Sequence, residues 1–144
     1  MDSEAMQYRY PDALLKEKYK IFNYALIGIC AIFIVFRIAL YTLLYPLMFT
    51  SGFSGEWFKA VGWLALLLNT VMLVLMVWII KLLFRFDARA YLLLIILSLT
   101  SLSSMIKYFD MLSTVLVLAG LGLSFFLKKK LFPNIPVFSY VPKK

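Results

Sequence analysis

Ile21–Phe49 reads IFNYALIGICAIFIVFRIALYTLLYPLMF, an apolar stretch interrupted by a single charge, Arg37. Three more stretches follow, Val61–Ile80, Ala90–Ile106 and Met111–Leu127, and these carry no charge at all. The hydrocarbon core of a bilayer is ~30 Å thick and takes ~20 apolar helical residues to cross, with ~17 as the lower limit. The pattern therefore predicts an all-α integral membrane protein, a compact bundle of four transmembrane helices at about 21–45, 61–80, 90–106 and 111–127. Outside it remain a leader (1–20), which includes a short interfacial helix, a tail (128–144) and three short loops.

Composition agrees. Hydrophobic residues make up 64% of the 144 residues and charged residues 15%, against ~45–50% and ~25% in an ordinary soluble domain. A water-soluble fold of this size could not cover so much apolar surface, so a belt of it must face lipid.

The net charge of +8 raises the question of nucleic acid, and its distribution answers it. In a four-span chain, twelve Lys/Arg fall on one side: Arg9, Lys16, Lys18 and Lys20; Lys81, Arg85 and Arg89; Lys128, Lys129, Lys130, Lys143 and Lys144. The other side has Lys59 and Lys107. Basic residues flanking spans stay on the cytoplasmic side, so both termini are expected there. The excess is a topology signal and a means of touching anionic headgroups, and no nucleic-acid partner is expected.

Little in the sequence supports catalysis. Cys30 is the single cysteine, which excludes an intrachain disulfide, and histidine is absent. Zinc, haem and iron–sulfur sites of the usual kinds are therefore not expected, and no cofactor is. No span carries the acid that marks small multidrug exporters, and there is no cysteine pair of the kind membrane thiol oxidoreductases need. Glu56 and Asp110 share the predicted outer side, as an acid/base pair would. Each sits in a loop near a lysine, Lys59 or Lys107, and reads more simply as a turn charge.

The leader is too polar and span one too long for a cleavable signal peptide. Pro11-Asp12 suits a helix start, and Ala13, Leu14, Leu15 and Tyr19 interleave with Lys16, Glu17, Lys18 and Lys20. That alternation predicts a short helix in the headgroup layer that turns into span one. Span one is expected to end near Pro46, and Trp57, Phe58 and Trp63 suit an outer aromatic belt, Trp78 an inner one.

Two polar residues interrupt the spans. A charge in mid-span costs ~2.5–3.5 kcal/mol on insertion scales and is usually paired or functional. Arg37 stands ~24 Å along its span from Ile21, within snorkelling reach of the outer surface. Its candidate partners are Glu56 and Asp110. Asn69, in the middle of span two, needs a hydrogen-bonding partner of its own.

Small residues mark where helices can approach. Gly120-x-x-x-Ser124 is a small-xxx-small pair, Ser101 and Ser104 belong to a serine cluster in span three, and Gly28 and Ala31 offer a weaker face in span one. In lipid, helix association rests on such close packing and on interhelical hydrogen bonds. The tail from Lys128 to Lys144 combines Lys128, Lys129 and Lys130 with Pro133, Pro136 and Pro142 and with Phe138 and Tyr140. Extended geometry against the anionic leaflet, or against a partner, is expected of it. The chain is expected to act without catalysis, as a subunit, accessory or immunity-type binding partner of another membrane component in a bacterial inner (plasma) membrane, or as a homo-oligomer. A small oligomeric transporter, flippase accessory or channel is the alternative.

Overall fold

The structure, a computed structural model, describes residues 9–50, 56–105 and 111–138. Among them all regular structure is α-helical: α1 (Ala13–Lys18), α2 (Lys20–Thr50), α3 (Glu56–Phe84), α4 (Ala88–Met105) and α5 (Met111–Leu131). Three helices are long and apolar enough to cross a membrane, and Ala88–Leu102 in α4 is apolar but shorter. The helices alternate in direction. Consecutive pairs from α2 to α5 pack side by side and α5 closes back on α2, while α1 lies across the ends of α2 and α5.

The inward faces follow one rule. On α2 the seam runs through Asn23, Leu26, Cys30 and Phe33, flanked by Ile27 and Ile34; on α5 it runs through Ser113, Val117, Gly120, Ser124, Leu127 and Leu131, flanked by Leu123 and Lys128. Steps of three and four residues alternate in both, as they do in Met76–Ile79–Leu83–Phe86 and Tyr91–Leu94–Ser98. A repeat of 3.5 residues keeps a seam facing its partners only if the helices wind gently left-handed around one another, the common geometry of membrane bundles.

The outward faces are apolar too. Ile32, Val35 and Ile38 on α2 and Leu67, Val71, Val74 and Val77 on α3 are exposed. In the most apolar 18-residue stretch of Gly62–Phe84 only 12% is buried, so that part of α3 is given over largely to its surroundings. Such a surface suits lipid and not water. Trp63 and Trp78 both lie exposed on it, toward opposite ends of α3.

Three expectations change. Pro46 does not end the first long helix, which continues to Thr50. A proline removes one donor from the ladder and can be accommodated within a membrane helix. Gly28 and Ala31 are not a contact face: a Cβ on Gly28 would meet nothing within 4 Å, and Ala31 is exposed. The reason is angular, since residues 28 and 31 fall between the seam positions 26, 30 and 33 and project sideways. The third concerns Lys128, which is fully buried and not free to touch the leaflet. It stands one turn beyond Ser124, beside the seam.

Gly120 and Ser124 do face the bundle. A Cβ at Gly120 would meet Ile29 Cγ2 at 3.8 Å, and the Ser124 hydroxyl donates to the Gly120 carbonyl at 2.6 Å. Ordinary contact leaves room for a methyl group but not for a branched side chain. Gly120→Ala is expected to keep the thermal midpoint in detergent, whereas Gly120→Leu is expected to lower stability by ~1–3 kcal/mol.

Candidate functional site

The end of the bundle that carries both chain termini holds a buried polar junction, built where α3 turns into α4. The turn begins as α3 runs out. Phe86 takes the left-handed conformation (φ 54°), its N–H donates to the Leu83 carbonyl, and the Asp87 N–H reaches back to Leu82. This is the Schellman pattern, which normally places glycine where Phe86 stands. Positive φ is costly for a bulky side chain. The Phe86 ring is buried, with the Lys16 ammonium 5.0 Å from its centroid, and these contacts offset the strain.

Asp87 then starts α4. Its Oδ1 accepts from the Arg89 N–H at 3.1 Å, its carbonyl accepts from Ala90, and the Ala88 N–H donates to the Arg9 carbonyl. Three of the orphan donors at the start of α4 are satisfied in this way. The other oxygen, Oδ2, takes the Arg9 guanidinium through Nε and Nη2, both at 2.6 Å. The Asp87 side chain is 1% exposed and that of Arg9 29%. The hydrogen bond to Asp87 raises the Arg9 pKa above its ordinary value, against a smaller opposing effect of burial, so Arg9 stays cationic. Asp87 thus fastens the leader to the turn between two long helices.

One layer deeper, Asn23 of α2 joins the same turn. Its Nδ2 donates to the Leu83 carbonyl at 2.9 Å, and its Oδ1 accepts from the Tyr91 hydroxyl at 2.5 Å. Asn23 and Tyr91 are both fully buried. A single amide therefore links α2, the end of α3 and the first turn of α4. From α5, Lys128 enters beside Phe132, its ammonium 5.7 Å from that ring and within the electrostatic reach of Asp87. The Phe132 ring lies 6.0 Å from that of Tyr91, and Ile135 is buried behind it. The first part of the tail thus folds into the junction. Lys129, Lys130 and Phe138 remain exposed, and Tyr140 lies outside the described residues.

Arg37 and Asn69 lie away from this junction, toward the middle of α2 and α3. They line one groove between α2 and α3, with Phe33, Met72, Leu73 and Met76. The Arg37 guanidinium sits 5.1 Å from the Phe33 ring centroid, and among the described residues no carboxylate pairs with it. Asp110 lies outside the described residues, and so does the side chain of Glu56, which opens α3. Ser101 lines an adjoining apolar crevice of about 50 Å³ between all four long helices, which shares Phe33, Met72 and Met76 with the groove; the Ser104 side chain lies outside the described ones.

Among the described residues no buried side-chain nitrogen or oxygen lacks a partner, and no three His, Cys, Asp or Glu side chains come together. The junction escaped the sequence reading almost entirely. Asp87 immediately before an apolar run is a helix-start signal that could have been found. Its pairing with Arg9, 78 residues away, has no local signal. No family model matches the chain, and no curated protein or solved structure is detectably similar to it.

The two layers predict separable losses. Asp87→Ala is expected to cost ~2–4 kcal/mol, ~1 from the helix start and ~1.5–3 from the charged hydrogen bonds. Asn23→Leu strands the Tyr91 hydroxyl in the interior and is expected to cost ~1–3 kcal/mol. Restoring a polar-free pair with Asn23→Leu/Tyr91→Phe is expected to recover part of that loss. Equilibrium unfolding in a detergent series measures all three, and a double mutant no better than the single one would sink the assignment.

Proposed function

We propose that this chain is an integral membrane protein of four spans with both termini cytoplasmic, and that it works without catalysis as a subunit or accessory partner of another membrane component. The observation that carries this reading is the saturation of the interior. Asn23, Asp87, Tyr91 and Ser124 spend their hydrogen bonds on the bundle's own helices, and the central crevice is small and apolar. A core arranged this way keeps helices in register; it holds no polar surface aimed at a solute. What remains for recognition is the lateral surface, α3 above all, and the exposed end of the tail.

The basic residues support the orientation. Lys16, Lys18, Lys20, Lys81, Arg85, Arg89, Lys129 and Lys130 are all exposed, and all lie at the end that carries the termini. That ring is what a cytoplasmic leaflet with anionic lipids retains. Its size and topology suit a bacterial plasma membrane. A second reading, a small oligomeric transporter or channel, draws on Arg37 and Asn69 sharing one groove.

Reporter fusions at Phe53 and at Lys144 are expected to report opposite sides of the membrane; the same side for both would end the four-span reading. Crosslinking in the native membrane followed by purification is expected to recover a stoichiometric second protein. Solute flux through proteoliposomes of the purified chain alone would instead favour transport.

A further inference from the structure

Arg37 opens onto the α2–α3 groove. Arg37 is partly buried, and it is joined there by Asn69 above an apolar floor that includes Met72, Leu73 and Met76. The guanidinium lies against the Phe33 ring, 5.1 Å from its centroid. A cation–π contact of this kind holds the charge against the ring without a carboxylate or carbonyl acceptor for its N–H groups.

Depth selects the anion. Arg37 lies ~24 Å along α2 from Ile21, and Asn69 ~22 Å back along α3 from Phe84, so both sit at one level. Counted from Ile21 in a ~30 Å core, that level lies in the half away from the termini, from which a long arginine stem extends toward the phosphate layer of that leaflet. The groove itself is apolar and open to the side, as an acyl chain requires.

We propose that the α2–α3 groove binds one phospholipid, its phosphodiester held by Arg37 with Asn69 beside it and its acyl chain lying against Met72 and Leu73. This rests on α2 and α3 crossing the bilayer. The site is distinct from the basic ring at the opposite end, which meets headgroups only as a diffuse charge.

Native mass spectrometry of the full chain in detergent tests it, with phosphatidylglycerol as the probe and dioleoylglycerol as its phosphate-free counterpart. One phosphatidylglycerol is expected to stay on each chain. Arg37→Gln is expected to weaken that retention at least ~10-fold. Lys129→Gln, at the other end, is expected to leave it unchanged. Dioleoylglycerol is expected to bind the parent chain no better than phosphatidylglycerol binds Arg37→Gln, and millimolar inorganic phosphate is expected not to displace the lipid. Equal retention by Arg37→Gln overturns the site, and it is the result expected if Arg37 pairs with Glu56, Asp110 or a second protein. Equal binding of dioleoylglycerol, or displacement by free phosphate, overturns it as well. Should Arg37→Gln fail to fold, Met72→Trp fills the groove and keeps the charge, and it must lower retention to a similar degree. Reporter fusions placing Phe53 and Lys144 on one side would remove the four-span reading. Opposite sides, with retention insensitive to Arg37, would remove the lipid site alone.

Discussion

Apolar helices gain nothing by hydrophobic transfer when they leave lipid for one another, so a bundle in a membrane needs another reason to choose a single arrangement. Here that reason is the Asn23 amide. It bonds two other long helices at once, accepting from Tyr91 on α4 and donating to the Leu83 carbonyl at the end of α3. Each alternative register of α2 would leave the amide, the phenol and a helix-end carbonyl without partners in a medium that supplies none. The 3.5-residue seam then fills in around that fixed point. Seams of apolar and small residues tolerate sliding, and a buried three-way hydrogen bond does not.

Asp87 extends the same logic to the chain outside the spans. A carboxylate at a helix start is favourable wherever it occurs, through the cap and the dipole together. Burying it adds a demand for countercharge, met by Arg9 from the leader and by the field of Lys128 from α5. The leader and the first part of the tail are thereby drawn into one structure with the helices between them. The polar content of the fold is distributed unevenly as a result. One end is cross-linked by ion pair, amide and phenol, and toward the other a charged arginine stands in an apolar groove.

Much of this was legible in the sequence, and the remainder was hidden for definite physical reasons. Four uncharged or nearly uncharged runs placed all four long helices, because hydropathy summed over ~20 residues is a strong signal. Gly120 and Ser124 were recognisable from their spacing as a pair suited to close packing, and the structure turns them inward. Gly28 and Ala31 matched the same small-residue rule but stood off the seam, since spacing within a pair says nothing of which way the pair points. Asn23 and Tyr91 sat in apolar context like any interfacial polar residue, and their partnership spans 68 residues. Lys128 looked like the first of three equivalent lysines. Helical phase separates them, since 128 continues the series 120, 124 and 127, whereas 129 and 130 turn outward.

The burial of Lys128 bears on orientation as well as on packing. A basic residue influences topology through its cost of crossing and its attraction to the cytoplasmic leaflet, and both are weakened when its charge is met within the protein. Arg9 is paired with Asp87 and Lys128 is enclosed, so neither adds much to that signal. The eight exposed cations of the terminal end carry it instead, spread around α1, the start of α2, the α3–α4 turn and the end of α5. Asp87 lies within the ring, where its one negative charge is paired with Arg9.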